Sequence, residues 1–202
     1  MAKLTPPVLI IDDFLEDSQA GDLLNHALIH EDRFRSSTVS TKNSVNDDWR
    51  KSREFIEGSD PVTEVLRRAL LQNANDLFTG TGVPPFPVSN IELQVIAHGD
   101  GDFYRPHIDT RTDQEYTSDV SDRLVSAVYY FNAVPRPFTG GELGIYAFGG
   151  AEPAKRIEPV HNRLVAFPSF ALHEVLPIAC PSGKFSDSRF SVNCWIRRSR
   201  DQ

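Results

Sequence analysis

Near residue 90 the hydrophobic period of the chain changes from helical to extended, and that change limits what the chain can fold into. Before it, Ala20, Leu23, Leu24, Ala27 and Leu28 repeat at helical spacing, with Asp17 or Ser18 available to cap the start. A second stripe, Val62, Val65, Leu66, Ala69 and Leu70, follows Asp60 as cap and Pro61 at the first helical position, with Gly80 just beyond its end. Only Val8–Ile11 reads as a strand in this half. After residue 90, Ile91, Leu93 and Val95 alternate with Glu92 and Gln94. Further short strands are expected at 103–109, 124–131, 141–148, 163–167, 173–178 and 189–196, separated by Gly- and Pro-bearing turns. Many short strands after two helices predict a mainly β (α+β) fold: a double-stranded β-helix, a cupin-like jelly roll, braced by N-terminal helices.

With 202 residues the expectation is one domain, helical support over 1–88 and jelly-roll core over 89–198. Two polar stretches, 35–54 and 110–123, read as long surface loops, suited to lids over a site. A net charge of −7 argues against a general nucleic-acid binder. No apolar run approaches the roughly 20 residues of a membrane helix, and the N-terminus does not read as a secretory signal. Two cysteines, Cys180 and Cys194, then read as reduced thiols of a cytoplasmic protein.

The chemistry concentrates in Phe103-Tyr104-Arg105-Pro106-His107-Ile108-Asp109. On a regular strand, residues two apart share a face, so His107 and Asp109 present an imidazole and a carboxylate together, with Phe103 and Arg105 on their side and Tyr104 and Ile108 opposite. A third ligand from a distant His would complete a 2-His-1-carboxylate triad, which leaves positions open and suits non-haem Fe(II). His98, His161 and His173 are candidates. His173 is favoured because it begins a strand after the buried-looking Leu164–Phe167. The last strand, Arg189 to Ile196, carries Phe190, Val192, Cys194 and Ile196 on one face and Arg189, Ser191, Asn193 and Trp195 on the other. A guanidinium and a hydroxyl on an inward face suit a carboxylate, which Arg grips bidentately.

In that order, these motifs resemble the Fe(II)/2-oxoglutarate-dependent oxygenases, in particular the prolyl-4-hydroxylase-like branch. The resemblance spans roughly 90–197 and includes Val128-Tyr129-Tyr130-Phe131-Asn132, Gly140-Gly141-Glu142-Leu143 and Arg189-x-Ser191-x-x-x-Trp195. It implies Fe(II) on His107, Asp109 and His173, which are then the catalytic residues. It implies 2-oxoglutarate as co-substrate, its far carboxylate on Arg189 with Ser191 and Tyr130 assisting. Dioxygen is the further partner, and ascorbate joins the cofactors of that chemistry. The implied reaction is hydroxylation of a C–H bond, with a prolyl residue in a protein as one substrate and a free amino acid or natural-product small molecule as the alternative.

Two departures stand out. His98 occupies a position where relatives carry Tyr. The segment 179–188 is longer than usual and brings Lys184 into competition with Arg189 for the anion. Arg123, at the entrance to the Tyr130 strand, reads as substrate contact or solvated strand end. A reading from another class is a non-catalytic jelly-roll module that binds metal or 2-oxoglutarate, which predicts four or more protein ligands on the metal.

Overall fold

The computed structural model describes residues 3–38, 46–56, 61–110 and 121–200. In chain order the elements are β1 (Leu9–Ile11), α1 (Asp17–Ile29), β2 (Phe34–Ser36), β3 (Arg50–Lys51), β4 (Arg53–Phe55), α2 (Pro61–Gln72), α3 (Ala74–Thr81), β5 (Val88–His98), β6 (Phe103–His107), β7 (Ser121–Tyr130), β8 (Thr139–Gly140), β9 (Leu143–Tyr146), β10 (Pro153–Ile157), β11 (Arg163–Pro168), β12 (His173–Val175), β13 (Ile178–Ala179) and β14 (Arg189–Ser199). A seven-stranded sheet runs β1-β11-β7-β14-β5-β4-β2. It faces a five-stranded sheet ordered β10-β9-β12-β6-β3, and β13 pairs with β8 in a small third ribbon. This is the jelly roll that the strand pattern predicts.

The large sheet is apolar on both faces, for different reasons. Phe190, Val192, Cys194 and Ile196 of β14 join Leu23 and Ala27 of α1, Leu66 and Leu70 of α2, and Leu77 and Phe78 of α3 in one buried cluster. The helices are therefore braces on the outside of the sandwich. The opposite face contributes Val128, Tyr130, Val165 and Phe167, which pack with Leu143, Ile145 and Ile157 of the small sheet. Alternation along β14 thus divides helix-facing core from sandwich interior, as the period of two requires.

Several sequence expectations shift in detail. Helix α1 starts at Asp17 after Glu16, whose N–H donates to the Gln19 side chain at 3.2 Å. The second helix is two. It breaks at Asn73, whose side-chain amide donates to the Ala69 carbonyl at 2.8 Å and so ends α2. Gly80 lies inside α3 rather than beyond a helix end, and Gly82, at φ +67°, closes that helix. Asp60 lies outside the described residues.

The larger difference is in 35–54. Its two ends are strands, not loop. β2 and β4 extend the large sheet, whereas β3 adds to the small one through Arg50↔Tyr104. The chain therefore crosses between sheets at Ser52. The signal was weak because strands of two or three residues leave almost no alternation to read. Residues 39–45 and 111–120, the middles of both expected lids, lie outside the described residues, and β7 begins at Ser121, three residues earlier than expected.

Candidate functional site

β6 and β12 are antiparallel neighbours in the small sheet, with His107 directly opposite His173. Their rings lie 4.2 Å apart between centroids. Asp109 follows just past β6, where its N–H donates to the Ser169 carbonyl at 2.9 Å. Its carboxylate then lies 3.9 Å from His107 Nε2 and 3.6 Å from His173 Nε2. One ligand atom from each of the three side chains lies within 4.8 Å of the others. His161, the rejected candidate, is elsewhere, its Nδ1 2.6 Å from the Asn132 carbonyl.

The tautomers suit a cation. His107 Nδ1 is 2.8 Å from the Arg105 carbonyl, and His173 Nδ1 is 2.9 Å from the Ala171 carbonyl. A carbonyl only accepts, so each Nδ1 carries the proton and each Nε2 keeps a lone pair directed at the cluster. Burial first, then His173, lowers the His107 pKa from 6.5 to about 3. Burial works to raise Asp109, but the two histidines, the Ser126 hydroxyl and the Trp195 indole together hold it below the ordinary carboxylate value. Ser126 donates to Asp109 at 2.7 Å and is within 2.9 Å of Ser169. Two neutral imidazole nitrogens and one ionised oxygen are the donor set of a divalent transition metal, so these residues fit a 2-His-1-carboxylate site.

Tyr104 is not on the far side of its strand. It stacks on His107 with centroids 3.6 Å apart and planes 20° from parallel. Arg105, expected beside the ligands, is exposed and donates to the Asp48 carbonyl at 2.5 Å. The reason is a bulge. His173 pairs with His107, but Val175 pairs with Tyr104, so three residues of β6 span two steps of β12. One extra residue inverts the alternation.

Arg189, at the start of β14, is the largest fully buried side chain, 1% exposed. Its Nε donates to the Gly141 carbonyl at 2.8 Å. Its two terminal nitrogens reach Ser191 Oγ and the Tyr130 hydroxyl, each at 3.4 Å, and the guanidinium lies 4.9 Å over the Tyr130 ring. Gly141 makes room for it. At φ +72°, a Cβ there would lie 2.8 Å from Arg189 Cδ. No carboxylate pairs with this guanidinium among the described residues, and burial is the first cause that lowers its pKa. A buried cation without a counter-ion is a site for an anion. Lys184 is exposed at the turn before β14.

His98 completes the pocket wall. It is 3% exposed, and its Nδ1 is 3.4 Å from an Arg189 nitrogen. Arg only donates, so Nδ1 accepts and Nε2 carries the proton. That Nε2 is sealed and has no partner among the described residues. Burial, then Arg189 and Arg50, keeps the His98 pKa well below 6.5. The folded protein therefore resists a proton that the unfolded chain takes up. Stability from this group is full above pH 6.5 and falls as the pH drops below it. Between pH 7 and pH 5 the protein should therefore lose stability through His98. Urea unfolding of the metal-free protein at both pH values should show a smaller drop in His98→Asn than in wild type.

Sequence reading did not connect three residues, Trp195, Arg123 and Arg50, to the metal cluster. Trp195 bonds Asp109 from β14. Arg123 lies 3.8 Å over the Trp195 ring and pairs with Glu92 at 2.5 Å, so it is not a solvated strand end. Arg50 of β3 is the third.

A model of the 2OG-Fe(II) oxygenase superfamily matches residues 93–197. The chain belongs to that superfamily, whose chemistry uses Fe(II) and 2-oxoglutarate. An uncharacterised PKHD-type hydroxylase of Synechocystis sp. is 31% identical over 196 residues, 93% of this chain and 62% of the relative. The chain thus spans about three-fifths of the length of that curated relative. A prolyl-4-hydroxylase of Pseudomonas putida shares the fold at TM-score 0.68 and 24% identity, over 96% of this chain and 94% of that one. A Trichoplax adhaerens prolyl hydroxylase, solved with a hypoxia inducible factor peptide fragment, superposes at TM-score 0.71 with 21% identity, over 95% and 84%. No described helix is long and apolar enough to cross a membrane, and both cysteines are free thiols.

Proposed function

We propose that this chain is an Fe(II)- and 2-oxoglutarate-dependent dioxygenase that hydroxylates a C–H bond. One observation carries the reading: a three-ligand cluster shares the sandwich interior with Arg189, a buried guanidinium that lacks an anion. His107, Asp109 and His173 hold the metal through Nε2, a carboxylate oxygen and Nε2. Arg189, with Ser191 and Tyr130, holds the far carboxylate of 2-oxoglutarate. His98 Nε2–H is a further donor to the same co-substrate, since a buried N–H without an acceptor costs about 1–3 kcal/mol. Bound together, iron and 2-oxoglutarate supply oxidation of a C–H bond by dioxygen, with succinate and CO₂ as co-products; ascorbate serves as reductant of the iron.

The protein's own tasks are binding, orientation and water exclusion. The carbonyls of Arg105 and Ala171 fix both ring orientations. Ser126 and Ser169 hold Asp109, and Tyr104 covers one face of His107. Three protein ligands leave positions open, which favours an enzyme over a closed structural metal site. The two prolyl hydroxylases that share this fold support a prolyl substrate. The test is succinate release from 2-oxoglutarate with and without added Fe(II). Iron-dependent succinate formation is the expected result; no succinate together with no Fe(II) binding would overturn the proposal.

A further inference from the structure

Arg50 is a second buried guanidinium in the sandwich, on the metal side, and the proposed chemistry gives it nothing to do. It is 5% exposed. Register places it opposite Tyr104, and its guanidinium lies 4.9 Å over the Tyr104 ring. Tyr104 in turn stacks on His107, so Arg50 is one aromatic ring removed from a proposed metal ligand. Its Nε donates to Ser52 Oγ at 2.9 Å, and Ser52 donates onward to Ser37 Oγ at 2.8 Å. These contacts fix the fork but use one donor of five.

The two terminal nitrogens have no hydrogen-bond acceptor among the described residues, nor are they sealed. Among the described residues no carboxylate lies in ion-pair range. Glu54 and Asp109 act on Arg50 only at longer range. Glu54 is bonded to Gln94 at 2.5 Å, and Asp109 to Ser126.

Charge counting identifies the missing partner, on the reading given under Proposed function. A divalent ion and Arg189 bring three positive charges; Asp109 and the two carboxylates of 2-oxoglutarate bring three negative ones. That balance leaves Arg50 as one buried cation without a counter-ion, a costly arrangement unless an anion arrives. A neutral peptide segment does not supply it.

We propose that Arg50 is the anchor for a substrate carboxylate: the molecule hydroxylated here carries a free carboxylate near the reacting C–H bond. A free amino acid and the C-terminal residue of a peptide share that chemistry. An internal residue of a protein lacks it. Arg50 is placed to grip both carboxylate oxygens, with Tyr104 as the wall beside the substrate.

The experiment loads the protein with Mn(II) and 2-oxoglutarate in the absence of oxygen. Calorimetric titration then compares the twenty free amino acids with their carboxamides. Prolyl peptides ending in a free carboxylate are compared with the same peptides amidated. At least one acid should bind at least about 10-fold more tightly than its amide. Arg50→Gln should weaken that acid by about 10–100-fold while Mn(II) and 2-oxoglutarate bind within twofold of wild type, which also reports an intact fold. Arg50→Lys should retain the preference for acid over amide at reduced affinity. The two arms tell a free amino acid from a peptide terminus. Equal binding of acid and amide, unchanged acid binding in Arg50→Gln, or no acid bound at all would overturn the assignment. Loss of Mn(II) or 2-oxoglutarate binding by the wild-type protein would instead overturn the dioxygenase reading beneath it.

Discussion

His107→Ala should lose Fe(II) binding and, with it, all iron-dependent succinate formation. Three ligands become two, and neither remaining group compensates. His173 already commits its only lone pair, and the Asp109 carboxylate is held by Ser126 and Trp195. Loss of a supporting hydrogen bond typically costs a metal site about 10–100-fold in affinity, so loss of a ligand should cost more. Metal titration followed by anaerobic 2-oxoglutarate titration measures both effects. The fold should survive, because β6 and β12 pair through backbone bonds and His107 belongs to neither large apolar cluster. A variant that folds and still binds Fe(II) with wild-type affinity would remove His107 from the centre.

Arg189→Ala separates the second half of the site from the first. Metal binding should persist within a few-fold, because the hydrogen-bond partners of Arg189 are Gly141, His98, Ser191 and Tyr130, none of them a ligand. The 2-oxoglutarate requirement should rise by about 100-fold or more, since two charge-assisted hydrogen bonds at about 1.5–3 kcal/mol each are lost. Arg189→Lys should fall between, retaining charge without the fork. Lys184→Ala should leave the requirement unchanged, because that side chain is exposed at a turn. Co-substrate saturation curves at fixed Fe(II) decide the matter. An unchanged requirement in Arg189→Ala would move the anion site elsewhere.

Much of this arrangement was legible in the sequence, and the parts that were not share a cause. Long elements announce themselves. β14 has eleven residues, and its alternation separates Phe190, Val192, Cys194 and Ile196 from Arg189 and Ser191 without ambiguity. The metal cluster was readable because each ligand sits on or beside a strand with a recognisable pattern. Tyr104 was misassigned because a bulge is a single inserted residue, and period-two counting carries any such insertion forward as an inverted face. Arg50 escaped notice because β3 spans two residues inside a polar stretch, and its burial depends on a long-range pairing with β6. Trp195 lay on the inward face as expected, but only the three-dimensional fold brings it to Asp109.

The direct pairing of His107 with His173 has a bearing on how this site is inherited. Neither side chain can be moved along its strand alone, since a shift of one residue turns it to the opposite face. Insertions and deletions are free to accumulate in the loops of the connection between them, provided Asp109 stays beside them and the two strands still meet in step. The intervening segment holds β7 to β11 and both glycines of the Gly140-Gly141 turn. On the proposed function, substrate preference can therefore diverge through the loops and through short edge strands such as β3, while the proposed metal centre keeps its geometry. Recognition and chemistry are written on separable parts of one chain.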